Sequence, residues 1–350
     1  MIYPILIGLG VVGYMFYREF DPAAFDYLSF TYRAGMFLLV ALLLMVIRDL
    51  GYIIRLRILT DNYFSWKKAL RIIMLWEFTS AVTPSAIGGT SLAILYVNKE
   101  GLSLGRSSAV VMATSFLDEL YFILMFPVLF LIVGGVSLFN IDGALTDSGN
   151  LRFANEFFYF AVVGYSLKLL YTLVVAYGLF RNPRGLKWLL LMIFRIPFLR
   201  RWRHDVNDTG DDIIVSSGEL RKKSFFFWLK AFGATFLSWT ARYWVANALL
   251  IAFFVIQDHF LVFARQLVMW IMMLVSPTPG GSGFAEFVFT RYLGEVIPVS
   301  AETLGAVAVA MAFLWRLISY YPYLVIGAFM LPGWISRKFR RKSGKLVPRS

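Results

Sequence analysis

Apolar residues run along this chain in long blocks separated by short polar connections. A helix needs about 20 predominantly apolar residues to cross the hydrocarbon of a bilayer. Six blocks reach or approach that length: 1–17, 34–54, 107–139, 157–180, 225–256 and 304–331. Several exceed the minimum, which predicts tilt, kinks or interfacial extensions. Two further apolar stretches, 69–97 and 260–293, are broken in the middle by proline and glycine.

The two breaks resemble one another. The first reads AVTPSAIGGTS and the second SPTPGGSGFAE, so both contain T-P-x-x-x-G. Thr83, Pro84, Gly88 and Gly89 belong to the first; Thr278, Pro279, Gly280, Gly281 and Gly283 belong to the second. Proline removes a backbone donor and glycine admits non-helical conformations. An unpaired backbone group facing lipid costs several kcal/mol, so broken helix is tolerated only inside protein or against water. The expectation is two re-entrant hairpins, the first entering from the cytoplasm and the second from outside, related as an inverted repeat. Paired Pro/Gly-broken segments in the two halves of a chain mark transporter substrate sites. Backbone amides freed at helix starts suit an anion such as phosphate. The plainer alternative is two kinked helices.

Composition agrees with the blocks. The 350 residues are 59% hydrophobic, 18% aromatic and 16% charged, with a mean hydropathy of +0.69. The predicted class is an all-α polytopic membrane protein, with one transmembrane domain over 1–342. The final KLVPRS, within a tail at 343–350, reads as a protease-recognition remnant. The first block lacks a positive leading region and a small-residue cleavage site, so it reads as a retained helix.

There are no cysteines and two histidines, His204 and His259. That removes thiolate chemistry and leaves little for histidine-based phosphotransfer or metal hydrolysis. No GxxxxGK[ST] occurs, so ATP hydrolysis is not expected; no motif in the chain calls for a cofactor, and none is expected. The net charge of +13 sits between blocks and in the tail, where it matches anionic lipid headgroups rather than nucleic acid. Arg55, Arg57, Lys67, Lys68 and Arg71 fall in one connection, and Arg181 to Arg203, Arg221 to Lys223 and Arg337 to Lys342 in others. The connections holding Asp21, Asp26, Asp142 and Asp147 are acidic to neutral. The positive-inside rule then puts both termini in the cytoplasm. The basic segment KWLLLMIFRIPFLRRWR, 187–203, reads as an interfacial helix or as a simple connector.

Ionisable residues within apolar blocks are costly and point to function by default. Here they are Asp49, Glu77, Asp118, Glu119, Lys168, Lys230, Arg242, Glu286 and Arg316. Arg242 and Arg316 lie deepest. A guanidinium can grip a phosphate with two hydrogen bonds, or it can form a structural ion pair with Asp118, Glu119 or Glu286. Adjacent helical residues diverge by about 100°, so Asp118 and Glu119 cannot share one face. Glu77 and Glu286 sit on hairpin arms and suit a coupling proton or an ammonium group. Lys168 and Lys230 read as snorkelling lysines.

These residues together resemble the transmembrane-domain family of lysylphosphatidylglycerol synthases, the flippase-like domain of the multiple peptide resistance factor. The resemblance rests on Arg55-Leu56-Arg57-Ile58-Leu59, Thr83-Pro84 to Gly88-Gly89, the turn Lys99-Glu100-Gly101-Leu102-Ser103, and Ser115-Phe116-Leu117-Asp118. It continues with Pro279-Gly280-Gly281-Ser282-Gly283 plus Glu286, then Trp315-Arg316-Leu317 ahead of Tyr321-Pro322 and Gly327. Where the family shows an arginine before the aspartate, this chain has Phe116 and Leu117. The resemblance implies a lipid translocase of a bacterial inner membrane, without the soluble synthase domain and without enzymatic activity. Its expected partners are the bilayer and an anionic or aminoacylated phospholipid, or a polyprenyl-linked lipid. The alternatives are a membrane-embedded transferase acting on polyprenyl-phosphate-linked substrates, with Asp118 and Glu119 as base or metal site, and a non-transporting partner of a lipid-modifying enzyme.

Overall fold

The computed structural model describes residues 28–83, 88–139, 150–185, 188, 192, 214–273, 281 and 284–339. The predicted first span, most of the 187–203 segment and the tail lie outside the described residues, as do Pro84, Thr278, Pro279, Gly280 and Gly283. Among the described residues every regular element is helical. The first half holds α1 (Tyr32–Leu59), α2 (Trp66–Val82), α3 (Gly88–Lys99), α4 (Leu104–Val133) and the short α5 (Gly135–Phe139). Next comes α6 (Asn150–Ala176), which widens into a π-helical turn at Tyr177–Arg181. The second half holds α7 (Phe225–Phe253), α8 (His259–Met272) and α9 (Phe284–Val288), the last prolonged by a π turn at Phe289–Leu293 and a 3-10 turn at Gly294–Val296. The chain closes with α10 (Ala301–Ser319) and α11 (Tyr321–Phe339).

Polar caps set the helix starts. Thr31, Ser65, Ser103, Ser224 and Asp258 each accept a hydrogen bond from the amide three residues on, which satisfies one orphan donor per helix. The predicted block at 107–139 divides because Gly134 adopts φ +83° and closes α4, its amide donating to Phe130 O at 3.0 Å. The block at 304–331 bends at Tyr320, whose backbone leaves helical geometry between α10 and α11.

Among the described residues, four helical stretches are long and apolar enough to cross a membrane: Tyr32–Leu59, Leu104–Val133, Phe158–Arg181 and Ala301–Lys338. On α6, Phe160, Val163, Leu167, Leu170 and Val174 are exposed, while Ala161, Lys168, Thr172 and Val175 are buried. That is one apolar stripe for lipid and one mixed stripe for protein. The 29-residue α7 is long enough to cross as well. Its apolarity is diluted by Thr235, Ser238 and Asn247, all fully buried on the side that packs against protein, while Phe226, Leu229 and Leu237 are exposed on the other.

The centre of the bundle is the pairing of α1 with α7. Buried positions on α1 fall at Ala41, Met45, Arg48, Tyr52, Arg55 and Leu59, the three-four spacing of a helix–helix seam. At mid-length Gly51 brings the backbones together: a Cβ there would sit 2.8 Å from Ala234 O and from Ser238 Cβ. Phe30 packs edge-on to Phe253 at 5.3 Å, Ser238 Oγ donates to Arg48 O at 2.7 Å, and Arg55 Nη1 donates to Thr235 Oγ1 at 3.1 Å. Numbers rise on one helix as they fall on the other, so the two run antiparallel.

Both broken regions fold as helical hairpins. In the first, α2 packs along α3, and a Cβ on Gly89 would collide with Ser80 Oγ. In the second, Arg265 of α8 reaches Tyr292 O at 3.1 Å and Glu295 at 2.6 Å on the returning arm. At a rise of 1.5 Å per residue, the 17-residue α2 is about 26 Å long and the 12-residue α3 about 18 Å. Neither arm matches the hydrocarbon thickness of about 30 Å.

The repeat extends well beyond T-P-x-x-x-G. Arg48, Arg71 and Trp76 recur 194 residues later as Arg242, Arg265 and Trp270; Thr83, Gly88 and Glu100 recur 195 residues later as Thr278, Gly283 and Glu295. Thus α1 to α4 correspond in order to α7 to α10. Each hairpin is closed at its base by the same pair, Arg71–Glu100 at 3.7 Å and Arg265–Glu295 at 2.6 Å. Equivalent helices α1 and α7 run antiparallel, so the halves are inverted relative to one another.

A charged, aromatic-walled cavity as the candidate functional site

Between the two halves lies a cavity of about 290 Å³, lined from α1, α2, α3, α4, α6, α7, α8, α10 and α11, with Gly281 from the second hairpin. Its walls carry charges that a membrane interior tolerates only when paired. Arg48, 1% exposed, spans two carboxylates: Nη1 to Asp49 Oδ1 at 2.8 Å and Nη2 to Glu77 Oε2 at 2.5 Å. Tyr52 and Tyr323 flank it with ring centroids at 4.6 and 5.0 Å, and the Tyr323 hydroxyl donates to Asp49. Arg55 grips Asp118 with both terminal nitrogens, at 2.5 and 3.2 Å, and Trp239 Nε1 donates to the same carboxylate at 2.6 Å. Lys168 donates to both oxygens of Glu119, at 2.9 and 2.8 Å. Arg316 pairs with Glu286 of the second hairpin and lies 4.0 Å from the Tyr320 ring.

Arg242 differs. Its guanidinium lies over the Trp270 ring at 4.2 Å and faces Trp239 at 5.5 Å. It lines the cavity, and among the described residues it has no carboxylate partner. Its repeat counterpart, Arg48, holds two. Tryptophan faces attract the cation by about 0.5–2 kcal/mol without consuming its hydrogen-bond donors, so Arg242 presents its fork to the cavity.

The structure brings together several residues singled out from the sequence: Glu77, Asp118, Arg242, Gly281 and Arg316 line the cavity, with Glu286 behind Arg316. Thr83 caps the end of α2 and bonds back to Thr79 O, and Gly88 and Gly89 open α3. Thr83 and Gly89 do not line the cavity; Ser80 and Thr90 do so beside them. Asp118 and Glu119 diverge as expected, each with its own cation. Asp118 lacks a local arginine, and Arg55 of α1 supplies the pair.

Two readings are corrected. Lys168 does not snorkel: it is 5% exposed and bound to Glu119, because it lies on the protein-facing stripe of α6. Arg55 does not belong to a cytoplasmic connection: α1 continues to Leu59 and buries it. Lys230 is exposed, away from the cavity. Sequence reasoning missed Arg48. The signal was available, since Arg48 and Arg242 stand equally far ahead of Trp76 and Trp270 in their repeats.

Fold and site together define an all-α, multi-pass membrane protein built from two inverted halves around an internal charged cavity. The sequence matches the family described as lysylphosphatidylglycerol synthase TM region over residues 1–327, and the chain belongs to that family. It is similar to a UPF0104 membrane protein of Archaeoglobus fulgidus, at 27% identity over 307 residues, covering 84% of this chain and 85% of the relative. No solved structure matches.

Proposed function

We propose that this protein carries a phosphate-bearing lipid headgroup between the leaflets of a cell membrane, the headgroup lodging in the cavity while the acyl chains stay in lipid. The observation that carries this reading is Arg242, a cavity-lining guanidinium held by two tryptophans and facing no carboxylate among the described residues. A phosphate oxyanion matches its fork with two charge-assisted hydrogen bonds. The inverted halves supply two related states, open to opposite faces, around one site. The basic ends of α1, α2, α3 and α11, with Arg57, Lys67, Lys99 and Lys338, face the cytoplasm in this reading. Asp118 and Glu119 are each neutralised by a cation, which removes the free base that a transferase would need.

Purified protein in vesicles with trace acyl-labelled phospholipid tests this. Active protein exposes inner-leaflet label to an external membrane-impermeant quencher within minutes. Label that stays as protected as in protein-free vesicles contradicts translocation.

A further inference from the structure

Counted over the described side chains that line the cavity and their direct partners, five cations face five carboxylates. The site is neutral overall, yet the charges are not evenly shared. Arg48 faces both Asp49 and Glu77, which leaves one surplus negative charge at that pole. Arg242 faces none, which leaves one surplus positive charge at the other. Tyr52 and Trp239 stand between the poles, 6.2 Å apart and edge-on. Glu77 has spent one oxygen on Arg48; its Oε1 accepts no hydrogen bond among the described residues and belongs to a cavity-lining side chain.

We infer that the cavity selects a headgroup with one phosphodiester and one primary ammonium, of net charge zero: the ethanolamine-type phospholipid class. The phosphate takes the donors of Arg242, and the ammonium donates to Glu77 Oε1 beside Asp49. Each end meets its complementary surplus charge. A purely anionic headgroup leaves the negative pole uncompensated, and a headgroup with a second ammonium adds a cation where every other carboxylate already holds one. Uncompensated charge in a low-dielectric site is what discriminates. This inference rests on the translocase reading.

The test uses vesicles of phosphatidylcholine and phosphatidylglycerol with acyl-labelled trace phosphatidylethanolamine, phosphatidylglycerol or lysylated phosphatidylglycerol. The ethanolamine lipid is expected to cross about tenfold faster than either of the others, the size of one charge-assisted hydrogen bond. Glu77→Gln removes the surplus negative charge and the ammonium acceptor together, and is expected to abolish the advantage, bringing the ethanolamine lipid and phosphatidylglycerol to within about twofold of each other. Because Glu77 also neutralises Arg48, selectivity is read independently in the wild-type protein, by native mass spectrometry after incubation with equimolar phosphatidylethanolamine and phosphatidylglycerol. Retention of the ethanolamine lipid by about tenfold supports the inference. Equal or faster movement of phosphatidylglycerol or of the lysylated lipid overturns the selectivity and leaves translocation standing. Movement of none of the three overturns both.

Discussion

Arg242→Gln is expected to slow lipid translocation by about a hundredfold, the worth of two charge-assisted hydrogen bonds to a phosphate, while the protein stays folded. The second half of that expectation follows from the missing partner. Among the described residues no carboxylate faces Arg242, so its removal orphans no buried anion. What is lost is cation stacking on Trp270 and Trp239, worth about 1 kcal/mol. Arg242→Lys retains the charge but loses the planar fork, and an intermediate rate is expected. Vesicle translocation and thermal unfolding in detergent, measured on the same preparations, separate the two effects. Loss of fold in Arg242→Gln would make this arginine structural.

Arg48→Met is expected to do the reverse and destabilise the fold by about 3–5 kcal/mol, the cost of stripping the partner from buried charge. Arg48 is 1% exposed and holds Asp49 and Glu77 together, and its backbone carbonyl accepts from Ser238 at the central α1–α7 contact. Without it, two carboxylates face each other inside the bundle. Adding Asp49→Asn and Glu77→Gln to Arg48→Met removes the stranded charges and is expected to recover much of the loss. The measurement is the unfolding midpoint of the single and triple variants. A single variant as stable as wild type would contradict the pairing.

The contrast between these arginines shows what the sequence makes legible and what it hides. The helical class follows from apolar blocks whose length only a bilayer explains, and the hairpins follow from Pro84 and Pro279 interrupting two of them. Glu77, Asp118, Arg242 and Arg316 stand out because charge inside an apolar block is rare. Which of them pair is not written along the chain. Arg48–Glu77, Arg55–Asp118 and Lys168–Glu119 join residues 29, 63 and 49 positions apart, and such contacts are fixed only when α1, α2, α4 and α6 pack. Arg55 reads as part of a connection for a local reason. It sits close to Arg57, which is partly buried and stacks on Trp66 at 4.3 Å, and a basic pair at the end of an apolar block reads as an interface. Only the turn of the helix separates the buried arginine from the partly buried one.

The repeat was legible in principle. Arg71 and Glu100 flank the first break as Arg265 and Glu295 flank the second, yet single polar residues this far apart carry weight only once both pairs are seen closing a hairpin base. The aromatic wall was less legible still. Tryptophan is enriched at membrane–water interfaces, yet Trp76, Trp239, Trp270 and Trp315 line the cavity.

The chain holds no cysteine, so a single introduced thiol reports on the cavity without background. Thr90 of α3 is exposed and lines it. In intact vesicles, Thr90→Cys is expected to react with a membrane-impermeant thiol reagent and to be protected by glycerophosphoethanolamine. A thiol that stays inert from either side until the protein is unfolded, or that reacts with no protection by the headgroup, contradicts a headgroup-binding cavity between the inverted halves.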